Sequence, residues 1–119
     1  MTTPKLSVLM ITYNHEHFIA QAIEGVLMQE TDFEIELVIG EDCSTDGTRE
    51  ICEKYAREHP DKIVLLDSDQ NYGPQPNYIR TFNATKGKYL AVCEGDDYFT
   101  DPLKLQKQVD FLEANPNYV

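Results

Sequence analysis

The stretch "CEGDDYFTDP", residues 93–102, places three carboxylates in four positions: Glu94, Asp96 and Asp97. An apolar run precedes them, and a helix start at Asp101 and Pro102 follows. Like charges this close either raise one another's pKa or share a cation. Hard oxygen donors select Mg²⁺ or Mn²⁺ over zinc, and a metal held by one or two carboxylates completes its shell with water and substrate phosphates. Diphosphate is the natural guest, because the cation neutralises it as it departs. The plainer reading is a solvated turn, with Asp101 as a simple helix cap. Placement directly after a buried strand favours the metal site, since an ordinary turn does not need three acids.

A second acid, Asp42, follows another apolar run, "EIELVIGED" (34–42). It either caps the helix after it or hydrogen-bonds a nucleobase or sugar. Thr12, Tyr13 and Asn14 close a third run and read either as a strand end and turn or as ligand contacts. His15 and His17 flank Glu16. Two histidines at i and i+2 can touch a metal, but solvent-facing or helix-capping roles fit them better. No Gly-x-x-x-x-Gly-Lys phosphate loop and no Gly-x-Gly-x-x-Gly fingerprint occurs, which removes P-loop and dinucleotide readings.

These residues need a frame that brings strand ends together. "LSVLMITY" (6–13) is a continuous apolar run, as expected of a strand covered on both faces. Phe18, Ile19, Ala22, Ile23, Val26 and Leu27 recur at helical spacing and predict a helix over 16–29. After the second strand, "STDGT" supplies capping residues for a helix striped by Ile51, Cys52, Tyr55 and Ala56, which Pro60 ends. "KIVLLD" (62–67) is a short third strand, and 68–78 is a turn-rich loop. A weaker helix carrying Ile79 and Phe82 runs on to Gly87, and "KYLAVCE" (88–94) is a fourth strand. Asp101 and Pro102 open a last helix, which continues to Asn115 before Pro116. The order β-α-β-α-β-α-β-α predicts an α/β fold, a mostly parallel sheet with helices on both faces. Ligands of such sheets bind beyond the carboxyl ends of the strands. That places residues 12–16, 41–44, 67–73 and 94–97 around one site.

The bulk numbers agree with one domain. The 119 residues can bury a modest core, and there is no repeat, linker or low-complexity tract. A net charge of −11 disfavours a nucleic-acid backbone or an anionic membrane as the main partner. Three cysteines without a Cys-x-x-Cys pair argue against a disulfide framework or structural zinc. Cys52 and Cys93 sit in apolar patterns and read as buried thiols. No apolar stretch approaches the roughly 18 residues of a membrane span, and the N-terminus lacks the pattern of a signal peptide. A cytoplasmic location is expected, the cytoplasmic face of a membrane being compatible with it.

Four stretches in order, "SVLMITYNHEHFIAQAIEGVLMQ", "ELVIGEDCSTDGT", "NYG" and "GKYLAVCEGDDYFTDPLKLQKQVDFL", resemble family 2 glycosyltransferases of the GT-A, Rossmann-like fold. The resemblance implies transfer of a sugar from a nucleotide-diphosphate donor, commonly a uridine type, with inversion and with Mg²⁺ or Mn²⁺. The acceptor, a glycan, lipid or protein, stays open. It further implies that Thr12, Tyr13, Asn14, Glu16 and Asn71 lie at the donor, and that Asp42 bonds the base. Glu94-Gly95-Asp96 takes the Asp-x-Asp position, with Asp97 beside it, so Asp96, Glu94 and Asp97 are the implied metal ligands. Glu94 replaces the usual first Asp, Cys43 stands where the family often has Gly, and Arg80 is the nearest match to a phosphate-contacting Arg expected near Tyr78. The family's general base lies beyond the fourth helix, so the resemblance implies a base beyond Val119, where "NPNYV" reads as entering another strand. The chain is therefore expected to be one donor-binding domain, 1–119, truncated at its C-terminus.

Three other functions fit parts of the pattern. A nucleotidyltransferase would share metal, nucleotide and sheet, but needs basic residues after the first strand, where "NHEHF" offers only histidine. A receiver-like signalling domain needs acids after its first strand, which here ends "TYN". A non-catalytic nucleotide-binding module would keep the donor site and lack the base.

Overall fold

The computed structural model describes residues 3–116. Four strands, β1 (Leu6–Thr12), β2 (Ile35–Glu41), β3 (Ile63–Leu65) and β4 (Tyr89–Val92), alternate with four helices, α1 (Ile19–Leu27), α2 (Thr48–Glu58), α3 (Pro74–Asn83) and α4 (Lys104–Ala114). All strands pair in parallel, in the order β3-β2-β1-β4. The expected α/β fold with a parallel sheet and helices on both faces is therefore what forms.

Burial explains the central strands. β2 is buried at every position, and β1 at all but Ile11. Val8, Met10, Leu37 and Ile39 form one core with Ile19, Ile23 and Val26 of α1, Cys52 of α2, and Leu105 and Val109 of α4. α3 takes the opposite face: Asn77 Nδ2 donates to the Gly40 carbonyl at 2.8 Å, and a Cβ at Gly40 would overlap the Thr81 hydroxyl. The strand order accounts for this. β1, β2 and β3 step one way, and the crossover to β4 returns past β1. A right-handed connection running in the reverse direction must cross the other face. The order reverses between β1 and β4, which is where such sheets open a crevice.

Element ends shift from the sequence expectation for local reasons. α1 starts at Ile19 rather than 16, because the His15 carbonyl takes the Phe18 and Ile19 amides in a preceding turn. α3 starts at Pro74, inside the expected 68–78 loop. Its two prolines occupy the first turn, where a missing N–H leaves nothing unpaired. α4 starts at Lys104, with Asp101 Oδ1 accepting the Leu103 amide at 2.9 Å. The further strand expected at "NPNYV" falls largely on 117–119, outside the described residues. Among the described residues, no helix is long and apolar enough to cross a membrane.

Gln29 ties α1 to the start of α4. Its side chain, 8% exposed, donates to the Asp101 carbonyl at 2.8 Å and accepts the Leu105 amide at 3.0 Å. Gln29→Leu leaves both backbone groups without their partner, so a loss of about 2 kcal/mol is expected in urea unfolding. A loss below about 0.5 kcal/mol would show that solvent already satisfies those groups.

Candidate active site

The carboxyl ends of β1, β2 and β4 are held side by side by continued pairing. The Thr12 carbonyl accepts the Asp42 amide at 3.0 Å, and the Ile11 carbonyl accepts the Gly95 amide at 3.0 Å. β1 therefore ends between Asp42 on one side and the Glu94–Asp97 loop on the other. A cleft of about 430 Å³ opens there, lined by Ile11, Thr12, Tyr13, His15, Asp42, Asn71, Pro74, Asn77 and Glu94. A groove of about 490 Å³ lies between β4 and α4, away from the strand ends, and no carboxylate lines it. Size alone would favour that groove; chemistry favours the cleft.

Of the residues singled out in the sequence, Thr12, Tyr13, Asp42, Asn71 and Glu94 come together in this cleft. Tyr13 is 43% exposed at the cleft. Asp42 is only 4% exposed. Its carboxylate does not cap α2. It accepts the Tyr72 amide at 2.6 Å and the Gly73 amide at 3.1 Å, while Asn71 Nδ2 donates to its carbonyl at 2.9 Å. Asp42 thus holds the loop that opens α3 against the end of β2, and each carboxylate oxygen keeps a lone pair for a ligand.

Asn14 and Glu16 turn the other way, onto the loop before α2. Asn14 Oδ1 accepts the Thr45 amide at 2.9 Å, and Glu16 Oε2 accepts the Gly47 amide at 2.9 Å. Asn14 has φ 55 and Cys43 φ 58, both left-handed. Asn tolerates that region, whereas Cys does so at a cost of about 1–2 kcal/mol that glycine would avoid. Asp46 Oδ1 accepts both the hydroxyl and the amide of Thr48 at the start of α2. Burial acts to raise the Asp46 pKa, but these bonds and one from the Glu16 amide outweigh it and hold the carboxyl below its ordinary value. The stabilisation this gives is present at neutral pH and is lost as pH falls through the lowered value.

The acid loop is not a closed cage. Among the described residues, no three carboxylate, imidazole or thiol groups converge on one metal position. Asp96 Oδ2 lies 3.8 Å from His15 Nε2, and Asp97 Oδ1 accepts the Tyr98 amide at 2.8 Å. Among the described residues, neither Glu94 nor Asp97 has an ion-pair partner. The thiol beneath them registers their field. Burial first, and then the negative charge of Asp97, push Cys93 up to about 11, with Lys104 pulling it back. The carboxylates of this loop are hard oxygen donors, of a kind that suits Mg²⁺ or Mn²⁺ rather than zinc. Burial likewise pushes Cys52 up to about 12, and all three cysteines are free thiols.

Two side chains depart from expectation. Arg80 does not line the cleft. Its Nε donates to Asn77 Oδ1, its Nη1 to the Asp67 carbonyl and its Nη2 to the Glu41 carbonyl, and its guanidinium stacks 4.2 Å from the Tyr72 ring centre. It braces the strand ends from behind. His15, expected to face solvent or cap the helix, instead turns back into the cleft, with Nδ1 2.9 Å from Thr12 Oγ1. His17 does face solvent, 84% exposed. The one signal available in the sequence was the position of His15 three residues after the last residue of β1.

A four-stranded parallel sheet in this order, with an acid-edged cleft at its switch point, has the architecture of the GT-A glycosyltransferase fold. The chain belongs to glycosyl transferase family 2, whose family model matches residues 7–119. S. aureus TarS, solved in complex with UDP, is 31% identical over 92% of this chain and 32% of its own, with TM-score 0.76. The mannosyltransferase PcManGT of Pyrobaculum calidifontis, solved with GDP-Man and Mn²⁺, shares the fold at TM-score 0.80 and 22% identity, over 94% of this chain and 33% of its own. An uncharacterized protein of Mycobacterium tuberculosis is 42% identical over 93% of this chain. EpsE of Bacillus subtilis, named as a glycosyltransferase, is 37% identical over 97% of it. The chain spans 32% and 41% of the lengths of these two relatives.

Proposed function

We propose that residues 1–119 form the nucleotide-sugar-binding domain of an inverting glycosyltransferase. It takes its sugar from a nucleoside-diphosphate donor, of the uridine type, and passes it to a hydroxyl of a glycan, lipid or protein. The observation that carries this reading is the cleft at the switch point, with Asp42 on one side of β1 and the Glu94–Asp97 loop on the other. A nucleoside diphosphate has matching ends: a base with N–H donors for a buried carboxylate, and phosphates that need a cation. The UDP and UDP-GlcNAc complexes of TarS support a uridine donor.

In this reading the base lies by Tyr13 and Asp42, with Asn71 at the rim, and the ribose and diphosphate extend toward Glu94. Asp96, with Glu94 and Asp97 beside it, would hold Mg²⁺ or Mn²⁺, which when bound supplies Lewis-acid neutralisation of the leaving diphosphate. Thr12 fixes the end of β1 between the two carboxylate sites. Asn14 and Glu16 act at one remove, by locking the 44–48 loop. The base that deprotonates the acceptor hydroxyl is assigned outside residues 1–119. A cytoplasmic location, where nucleotide sugars are at hand, belongs to the same reading.

Calorimetry with UDP and GDP, with and without Mn²⁺, tests it. The chain is expected to bind UDP in preference to GDP, and more tightly with Mn²⁺. Asp96→Ala should remove the Mn²⁺ increment while leaving metal-free binding in place. An undiminished increment would overturn the Asp96 assignment, and failure to bind either nucleotide would overturn the reading itself.

A further inference from the structure

We infer that His15 is a diphosphate-contacting residue, giving its Nε2–H to a non-bridging phosphoryl oxygen of the bound donor. The inference rests on the donor reading above and adds the protein group that grips the phosphates.

His15 is anchored through both its backbone and its ring. Its own backbone amide donates to Thr48 Oγ1 at 2.9 Å, and its carbonyl accepts the Phe18 and Ile19 amides. The ring packs over Gly95 so closely that a Cβ there would stand 2.8 Å from Nδ1. Nδ1 lies 2.9 Å from Thr12 Oγ1, and Nε2 faces Asp96 Oδ2 at 3.8 Å. The inference requires the tautomer that carries its proton on Nε2, the nitrogen on the side of this carboxylate. Nδ1 is then the acceptor, and the Thr12 hydroxyl donates to it. The buried threonine, 2% exposed, holds Nδ1 and leaves Nε2 on the side of the acid loop.

The rest of the cleft makes that N–H matter. Its described lining contains Asp42 and Glu94 but no lysine or arginine. Arg80 is occupied with Asn77 and two carbonyls. A diphosphate placed there meets carboxylates, and among the ionisable lining groups His15 and the Tyr13 hydroxyl are those that can donate to phosphate. Were Asp96 to hold a divalent cation, Nε2–H would be left for a phosphoryl oxygen beside it. The Thr12 bond keeps the ring from following.

The test compares uridine with UDP, in Mn²⁺, on wild type, His15→Phe and His15→Gln. His15→Phe is expected to weaken UDP about tenfold and leave uridine unchanged, the loss of one hydrogen bond to a charged acceptor. His15→Gln, which keeps an N–H at that reach, should recover most of the loss. Equal weakening of uridine and UDP would mean a purely structural role and overturn the inference, as would unchanged UDP affinity in His15→Phe. Should that variant fail to fold, ¹⁵N imidazole spectra of the wild type decide: Nε2 protonated and shifted by UDP supports the contact, and the opposite tautomer or an unmoved signal overturns it. Wild type that binds neither UDP nor GDP takes down the donor reading beneath; wild type that binds UDP no more tightly than uridine takes down the diphosphate contact alone.

Discussion

Arg49→Met is expected to destabilise the fold by about 3–5 kcal/mol, the cost of leaving a buried charge without its partner. The charge is Glu41, the last residue of β2 and fully buried. One of its oxygens, Oε2, accepts the Ser44 amide at 2.8 Å; the other, Oε1, has no hydrogen-bond partner among the described residues. Arg49 Nη1 stands 3.8 Å from that orphaned oxygen, while the same guanidinium donates to the Leu66 carbonyl at 2.9 Å and to Glu53 at 3.2 Å. Exchanging the arginine for an apolar chain of similar length keeps the packing and removes the countercharge. Urea unfolding of both single variants and of Glu41→Leu/Arg49→Met separates the contributions. The double variant should recover much of the loss, because an apolar pair has no ion to desolvate. Arg49→Met within about 1 kcal/mol of wild type would show that Arg49 does not balance Glu41.

That pair could not be found in the sequence, and the reason is general to this site. β1 and β2 were legible because a strand buried on both faces must be apolar throughout, and "LSVLMIT" and "IELVIGE" announce themselves apart from two glutamates. One of those, Glu36, is satisfied by the Ser7 hydroxyl and the Lys86 amide, and the other is Glu41, so neither breaks the strand. α1, α2 and α4 were legible from their stripes. The start of α3 was not, because prolines read as loop unless the first helical turn is known to be theirs. At the site, the acids could be placed at strand ends by topology alone. Their partners could not. Asp42 binds amides 30 and 31 residues away, and Glu16 binds one 31 residues away. No local pattern encodes such pairings. His15 was misjudged for a related reason: its neighbours in sequence are polar, while Thr12 and the Gly95 backbone, which fix its ring, come from two strand ends.

Gly95→Ala, a single added methyl, is expected to cost about 3 kcal/mol and to abolish UDP binding, at the severe end of overpacking. The Cβ would overlap the Thr12 hydroxyl, stand 2.6 Å from Thr12 Cβ and lie 2.8 Å from His15 Nδ1. None of these can yield cheaply. Thr12 is buried, its carbonyl holds the Asp42 amide, and its hydroxyl holds His15. Gly95 cannot retreat, because its amide bonds the Ile11 carbonyl at 3.0 Å. The clash therefore pushes β1 and β4 apart where the two carboxylate sites must keep their spacing. Asp96→Ala makes the useful contrast: its side chain is half exposed, so stability should stay within about 0.5 kcal/mol while only the metal increment is lost. Urea unfolding and UDP calorimetry on both variants separate a distorted cleft from a missing ligand. A Gly95→Ala protein of wild-type stability that binds UDP normally would mean that the ends of β1 and β4 need not touch, and that glycine stands between Glu94 and Asp96 for some reason other than the close approach of Thr12.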